Sequence, residues 1–160
     1  MRRSVLSCGL ALLIVAASPT PAAADLTGFL GATTSPNAAR GGRGFAVGLS
    51  LVIVGFEFEY SRTLEDIETT SPGLTTSMFN GLVMTPTGNT QLYLTAGGGL
   101  YRERTGLETE TSIGTNIGGG IKMGLAGPLR LRIDYRVFDL RGTPRFKNPQ
   151  RFYAGINIAF

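Results

Sequence analysis

Hydrophobic and polar residues alternate along most of the chain after residue 24, and turn residues interrupt the alternation at intervals. The clearest example is LRLRIDYRV, in which every second residue is apolar and the residues between are Arg130, Arg132, Asp134 and Arg136. A period of two is typical of β-strands, whereas a helix with this sequence would scatter its charges around the axis. The pattern predicts eight strands, at about residues 25–34, 44–52, 54–62, 75–85, 91–103, 111–125, 129–140 and 151–160.

The connections between these strands alternate in length. Three are tight, near residues 52–54, 86–90 and 126–128, and four are longer and polar, near 35–43, 63–74, 104–110 and 141–150. Short turns at one end, long loops at the other and an even number of strands are typical of bacterial transmembrane barrels. A tilted strand of about 9–11 residues also crosses a bilayer. The sequence therefore predicts an all-β fold, an eight-stranded antiparallel up-and-down transmembrane β-barrel.

Charged residues share one face of the predicted strands. In GFEFEYS, Glu57 and Glu59 point away from the neighbouring aromatic residues. A membrane barrel has an apolar outside and a polar lumen, and an eight-stranded interior is only just filled by side chains. Strands three and seven lie opposite each other in a ring of eight. We therefore expect ion pairs that plug the lumen, formed by Glu57, Glu59, Lys122, Arg130, Arg132, Asp134 and Arg136. The alternative is solvated charge on a soluble sheet.

Two glycine runs, Gly97–Gly99 and Gly118–Gly120, fall on consecutive predicted strands. Glycine in a strand marks a bend or a close approach of other groups. In a narrow barrel these glycines make room for long arginine and tyrosine side chains, or they are points where the strands bend. A dinucleotide-binding loop is excluded because neither run has the G-x-G-x-x-G spacing.

The first 24 residues have the features of a secretory signal peptide: a basic start, a short apolar run and Ala22, Ala23 and Ala24 at the end. The apolar run is too short for a transmembrane helix, which needs about 20 residues. We predict cleavage after Ala24, a signal peptide over 1–24 and one barrel domain over 25–160. Cleavage removes two arginines and no acidic residue, so the net charge falls from +4 to +2. This weak charge argues against a nucleic-acid partner.

The last strand carries the most specific pattern in the chain. Its residues follow the order polar-x-Gly-x-x-apolar-x-apolar, filled by Tyr153, Gly155, Ile158 and Phe160. With the signal peptide and the eight segments, the mature chain resembles the small outer-membrane β-barrel family, the OmpA/OmpX-like proteins of Gram-negative bacteria. The resemblance implies a monomer in the bacterial outer membrane, surrounded by outer-membrane lipid and lipopolysaccharide. It also implies that the barrel-assembly machinery reads the terminal pattern as an assembly signal.

Residues for catalysis are scarce. The chain has no histidine, and its one cysteine, Cys8, lies in the predicted signal peptide. Histidine is the side chain best suited to general-base work near neutral pH. Glu57 and Glu59 could pair as acid and base, but nearby arginines favour ionised, structural ion pairs. We therefore predict no enzymatic activity, no catalytic or metal-binding residue and no cofactor.

The predicted loops are the remaining candidates for recognition. The first and fourth predicted loops, which adjoin where strands one and eight close the ring, carry Arg40, Arg43, Arg145, Lys147 and Arg151. These residues could contact lipopolysaccharide phosphates, because the arginine fork binds phosphate through two bonds, or they could be ordinary solvated charges. The predicted function is structural or interactive: membrane integrity, adhesion or lipopolysaccharide contact. The alternatives are a narrow channel or carrier of small hydrophobic molecules, and a soluble periplasmic lipocalin-like binder.

Overall fold

The computed structural model describes residues 22–35, 38–65, 71–86 and 88–160, and these form one closed barrel of eight antiparallel strands. Each strand pairs with the next along the chain, and the first pairs with the last. The predicted fold class is confirmed, with boundaries close to those expected. The strands are β1 (Ala22–Ser35), β2 (Ala38–Leu51), β3 (Val54–Thr63), β4 (Gly73–Met84), β5 (Thr90–Thr105), β6 (Glu108–Ala126), β7 (Leu129–Leu140) and β8 (Gln150–Ala159). None of the described residues belongs to a helix long and apolar enough to cross a membrane.

The alternating pattern separates an apolar outer face from a polar interior. Large apolar side chains such as Leu30, Phe79 and Leu94 are about 70% exposed on the outside. Arg132 and Arg136, in contrast, are fully buried inside the ring. Soluble proteins bury their apolar side chains, so this distribution is inverted, as it is in transmembrane barrels.

The interior also contains two apolar layers that the alternation did not predict. One lies at the end that carries segment 141–149, and it consists of Leu74, Met78, Tyr101, Phe138 and Leu140. The other lies near the chain termini and consists of Leu82, Met84 and Tyr93. Charged side chains from β3, β7 and β8 occupy the space between these layers. The buried side chains inside the barrel therefore include apolar clusters as well as charges.

Two of the four connections predicted to be long are short. β1 and β2 stay paired as far as Ser35 and Ala38, and β5 and β6 as far as Thr105 and Glu108. Gly106, with φ of +60°, begins the turn between β5 and β6. These segments were predicted as loops because polar residues occupy both of their faces, so they lack the alternation that marks a strand in contact with lipid. The segment 141–149 is long as predicted, and part of 64–72 lies outside the described residues.

The predicted signal peptide falls mostly on residues 1–21, which lie outside the described residues. The end of that segment, 22–24, forms the first residues of β1. Ala24 exchanges two backbone hydrogen bonds of 2.9 Å with Phe160, so the start of β1 and the end of the chain meet at the same end of the barrel. Cleavage after Ala24 stays a prediction.

Candidate functional site

A network of ion pairs crosses the interior from β7 to β3. Arg132 and Arg136 project inward from β7, with Asp134 between them on the same face. Arg132 Nη1 contacts the Glu57 carboxylate, and Arg136 Nη2 donates to Oε1 of Glu57 at 2.8 Å. Both guanidinium groups also contact Asp134, Arg132 Nη2 at 3.1 Å and Arg136 Nε at 2.8 Å. Two carboxylates thus lie between two arginines in a space closed to solvent.

Glu59 links this network to β8. Nη1 of Arg136 lies 3.1 Å from Oε2 of Glu59, and Arg151 of β8 contacts Oε1 of the same carboxylate. Arg151 also donates to the hydroxyl of Ser61, and its guanidinium carbon lies 4.7 Å from the centroid of the Phe138 ring. Sequence reasoning counted Arg151 among the charges of the last loop. The structure shows instead a buried strand residue that pairs with β3.

Two buried tyrosines complete the network. The Tyr93 hydroxyl donates to Oδ2 of Asp134 at 2.5 Å and accepts from Nε of Arg132 at 2.8 Å. Tyr153 of β8 stacks on Phe29, with ring centroids 4.0 Å apart, and its hydroxyl donates to Oε2 of Glu59 at 3.3 Å. Tyrosine side chains were expected in the lumen beside the glycine runs, but neither Tyr93 nor Tyr153 was among the predicted ion-pair residues.

Two glycines of β6 lie against these long side chains. A Cβ added at Gly118 would lie 2.8 Å from Cγ of Arg136, and one added at Gly120 would overlap the Tyr93 hydroxyl. At both positions a Cβ would also lie 2.2 Å from a backbone carbonyl oxygen of β7, so space for side chains and close approach of the strands both apply.

A separate ion pair lies near the termini. Nζ of Lys122 on β6 is 2.5 Å from Oδ2 of Asp25 on β1, and both side chains are buried. Asp25 was not among the predicted lumen residues. Arg130 was, but it is half-exposed and makes no salt bridge with any residue that the structure describes.

The third group of charges lies towards the end of the barrel that carries segment 141–149. Arg40 is a buried residue of β2, so its assignment to an exposed loop was wrong. The carboxylate of Glu103 on β5 accepts from the backbone nitrogen of Arg145, at 3.1 and 3.2 Å. Burial, with a smaller contribution from Glu110, raises the pKa of Glu103 although Arg40 and Arg145 oppose the shift.

The buried charges of the described residues balance. Five acidic and five basic side chains are buried. They are Asp25, Glu57, Glu59, Glu103 and Asp134, against Arg40, Lys122, Arg132, Arg136 and Arg151. An unpaired buried charge is costly, whereas a charge with a close partner and hydrogen bonds is tolerated. The balance allows these charged side chains to be buried together.

The other predicted residues lie on the outside or in the last connection. Arg43 points outward from β2, and Arg145 and Lys147 are exposed in segment 141–149. Within the terminal pattern, Tyr153 points inward and Gly155 faces Phe29 across the β1–β8 pair. Ile158 and Phe160 point outward, with 40% and 76% of their side chains exposed.

Two small cavities adjoin the buried charges on the inside of the barrel. A cavity beside Arg40 and Glu103 and another beside Asp25 and Lys122 each have a volume of about 10 Å³. A space of this size holds one water molecule at most. No group of three or more potential metal ligands occurs among the described residues. The interior geometry supports static ion pairing and packing.

Several solved structures share this architecture. The crystal structure of Neisserial surface protein A has a TM-score of 0.64 and 17% identity, over 87% of this chain and 97% of that one. The chain has the fold of small outer-membrane barrels. The attachment invasion locus protein Ail of Yersinia pestis has a TM-score of 0.54 and 12% identity, over 87% of this chain and 98% of Ail. At these identities the likeness establishes the fold alone.

The outer membrane enzyme PagL also shares the fold, with a TM-score of 0.51 and 14% identity over 84% of this chain and 98% of PagL. The fold therefore occurs both in surface proteins and in an enzyme, and it does not decide between these functions. Neither protein-family models nor the sequences of curated proteins match the chain. The resemblance to OmpA/OmpX-like proteins stays a prediction.

Proposed function

We propose that this chain is an integral barrel protein of the bacterial outer membrane with a structural or surface-interaction role, and that ion pairs close its lumen. The observation that carries the proposal is the network of Arg132, Arg136 and Arg151 with Glu57, Glu59 and Asp134, inside a ring with an apolar outer face. The structural similarity to Neisserial surface protein A and to Ail supports a location in the outer membrane.

The exposed apolar surface favours a membrane protein over a soluble periplasmic binder. Phe56, Phe79 and Leu94 would each be largely exposed to water if the barrel were soluble. Contiguous apolar surface of this kind is rare on soluble monomers and marks contact with lipid or with another protein. In a bilayer the same side chains contact acyl chains.

The closed interior favours a structural or interactive role over a channel or a carrier. A carrier of small hydrophobic molecules needs an apolar cavity of a few hundred cubic ångströms. The two interior cavities beside the buried charges are far smaller, at about 10 Å³ each. The matched carboxylates and guanidinium groups also contact one another, which leaves them poorly placed to act on a substrate. The proposal therefore includes no enzymatic activity.

Biogenesis and partners belong to the same proposal. The chain is exported with a cleaved signal peptide and is inserted as a monomer by the barrel-assembly machinery, which reads Tyr153, Gly155, Ile158 and Phe160. Outer-membrane lipid and lipopolysaccharide surround the barrel. Arg145 and Lys147 are exposed in the last connection, between β7 and β8.

Fractionation followed by gel electrophoresis tests the proposal. We expect the protein in the outer-membrane fraction, released only by detergent, and migrating at different positions before and after boiling because the closed barrel resists detergent when cold. Release by salt or alkali alone, or identical migration with and without boiling, would contradict it.

A further inference from the structure

Three arginines lie in one row on the outer face of the barrel, where its apolar surface ends. Arg43 of β2 is the register partner of Arg62 of β3, which pairs with Thr75 of β4, and Thr75 pairs with Arg102 of β5. Neighbouring strands are about 4.8 Å apart, so these partners lie side by side. Arg104 lies on the same face of β5, one outward position farther from the termini. All four arginines are exposed.

These outer arginines lack the carboxylate partners of the interior arginines, although Arg102 donates to the Thr111 hydroxyl at 3.4 Å and Arg104 to the Gly106 carbonyl at 3.2 Å. None of the four forms a salt bridge with a residue that the structure describes. Arg62, Arg102 and Arg104 line one groove of about 500 Å³, together with the carboxylate of Glu65. Glu65 accepts a hydrogen bond from the backbone nitrogen of Gly106 at 2.8 Å. Among the described residues that line the groove, three positive charges exceed one negative charge, so this lining suits an anion.

An apolar groove lies next to these arginines, on the side that faces the Ala24–Phe160 end of the barrel. Leu100 is the next outward residue after Arg102, about 7 Å along the strand. A groove of about 530 Å³ runs past it, lined by Ser77, Phe79, Gly98, Leu100, Ile113 and Thr115. Gly98 leaves the floor open, because a Cβ there would approach other atoms no closer than 3.4 Å. Arg141 lines the far side, near Asp139, the register partner of Thr115.

We propose that the outer face of β3–β6 binds one phosphate-bearing lipid of the lipid A type, the membrane anchor of lipopolysaccharide. Its phosphate groups contact Arg62, Arg102 and Arg104, and one acyl chain lies in the groove over Gly98. Arg43 extends the basic row on the β2 side. This inference rests on the proposed function, because it requires the outer face to be in a membrane.

The position of the two grooves favours a lipid as the ligand over a soluble phosphate compound. Below Arg43, Arg62 and Arg102, the next outward residues are Phe45, Tyr60 and Leu100, which belong to the lipid-facing surface. A ligand held by the arginines at this level is therefore at the boundary of the acyl-chain region. Planar guanidinium groups bind phosphate through two parallel hydrogen bonds, and such charge-assisted bonds are about twice as strong as neutral ones. The basic surface and the apolar groove thus match the two parts of one molecule.

The site differs from the one that the sequence suggested. Arg40 is inside the barrel, and Arg145 and Lys147 lie on the last connection, between β7 and β8. Arg62 and Arg102 take their place as the central contacts. Arg145 and Lys147 therefore provide a matched control that removes the same two charges elsewhere on the protein.

Native mass spectrometry of the refolded barrel in an uncharged detergent tests the inference. The probes are bisphosphorylated lipid A, the same lipid with its phosphates removed, and phosphatidylglycerol. We expect lipid A to bind at least about tenfold more tightly than either comparison lipid, because two charge-assisted bonds contribute more than the 1.4 kcal/mol that a factor of ten requires. Equal binding of phosphatidylglycerol would overturn the assignment to lipid A.

Three variants locate the site. We expect R62Q/R102Q to lose the tenfold preference, G98L to weaken lipid A binding by filling the groove, and R145Q/K147Q to bind like the unchanged protein. Full retention of binding by R62Q/R102Q or by G98L would overturn the proposal, and so would an equal loss in R145Q/K147Q. Each variant is first checked for the heat-modifiable band. A folded barrel without lipid preference contradicts only this inference, whereas the absence of any barrel contradicts the proposed function as well.

Discussion

Nη2 of Arg136 on β7 donates a hydrogen bond of 2.8 Å to Oε1 of Glu57 on β3, and so joins two opposite walls of the barrel. Both side chains are almost completely buried. The pair connects strands that share no backbone hydrogen bonds, since β3 pairs with β2 and β4 whereas β7 pairs with β6 and β8. Contacts across the lumen therefore brace the ring in a direction that the strand ladder does not.

Removal of Arg136 should destabilise the barrel strongly. Arg136→Ala leaves Glu57, Glu59 and Asp134 short of one cation, and a buried pair broken on one side costs about 3–5 kcal/mol. The matched control is Arg130→Ala on the same strand and face, because Arg130 is half-exposed and has no salt bridge with a described residue. We expect a change within about 0.5 kcal/mol there. Urea unfolding in lipid vesicles measures both, and equal effects would contradict the bracing role.

The turn between β2 and β3 should be strained. Val52 has φ of +54°, a conformation that costs a β-branched residue about 1–2 kcal/mol. Asparagine tolerates this region, so Val52→Asn should raise the free energy of unfolding by up to about 1 kcal/mol. The neighbouring Ile53 has no positive φ, and Ile53→Asn should give no gain. A stability of Val52→Asn below that of the unchanged protein would refute the strain.

The free energy of unfolding should fall slightly as the pH rises above the ordinary pKa of a glutamate side chain. Burial raises the pKa of Glu103, so the folded state binds the Glu103 proton more tightly than the unfolded state does. This tighter binding contributes to stability in full below the pKa of Glu103 in the unfolded chain, about 4.3. The contribution is lost as the pH rises through the pKa of Glu103 in the folded barrel. Glu103→Gln should remove this part of the dependence. Thermal unfolding of both proteins at about pH 4 and about pH 7 measures this. If Glu103→Gln shows the same difference in melting temperature between the two pH values as the unchanged protein, Glu103 is not its source.

The terminal phenylalanine should matter more for assembly than for the finished barrel. Phe160 is 76% exposed and touches the rest of the protein mainly through its backbone bonds with Ala24. Phe160→Ala keeps those bonds, so the refolded variant should unfold within about 1 kcal/mol of the unchanged protein. Its level in the cell membrane should nevertheless fall. Phe152→Ala, outward on the same strand, is the control, and equal levels of the two variants would remove the special role of the terminus.

The sequence predicted the strands best where one face contacts lipid and the other is polar. In β7 the alternation of Arg132, Asp134 and Arg136 with apolar residues identified both the strand and its inward face. The opposition of strands three and seven in a ring of eight then brought Glu57 and Glu59 towards these arginines, and the structure has those contacts.

The sequence was less informative where a strand has polar residues on both faces. Arg40, Arg62 and Arg102 lie beyond the apolar surface, where polar residues occupy both faces of the strands and no alternation marks which side is inside. Arg151 follows a polar connection and was assigned to it. Asp25 adjoins the predicted cleavage site. The partners of these residues depend on register across the ring, which a single sequence does not encode locally.

The central claim is that matched buried charges close the lumen, and conductance in planar lipid bilayers tests it most directly. The account predicts that the purified barrel inserts without producing discrete conductance steps, because Arg132, Arg136 and Arg151 are held against Glu57, Glu59 and Asp134 across the interior. Arg136→Ala provides a positive control for a loosened interior. Stable, reproducible channel openings by the unchanged protein would contradict the closed lumen and favour a narrow channel instead.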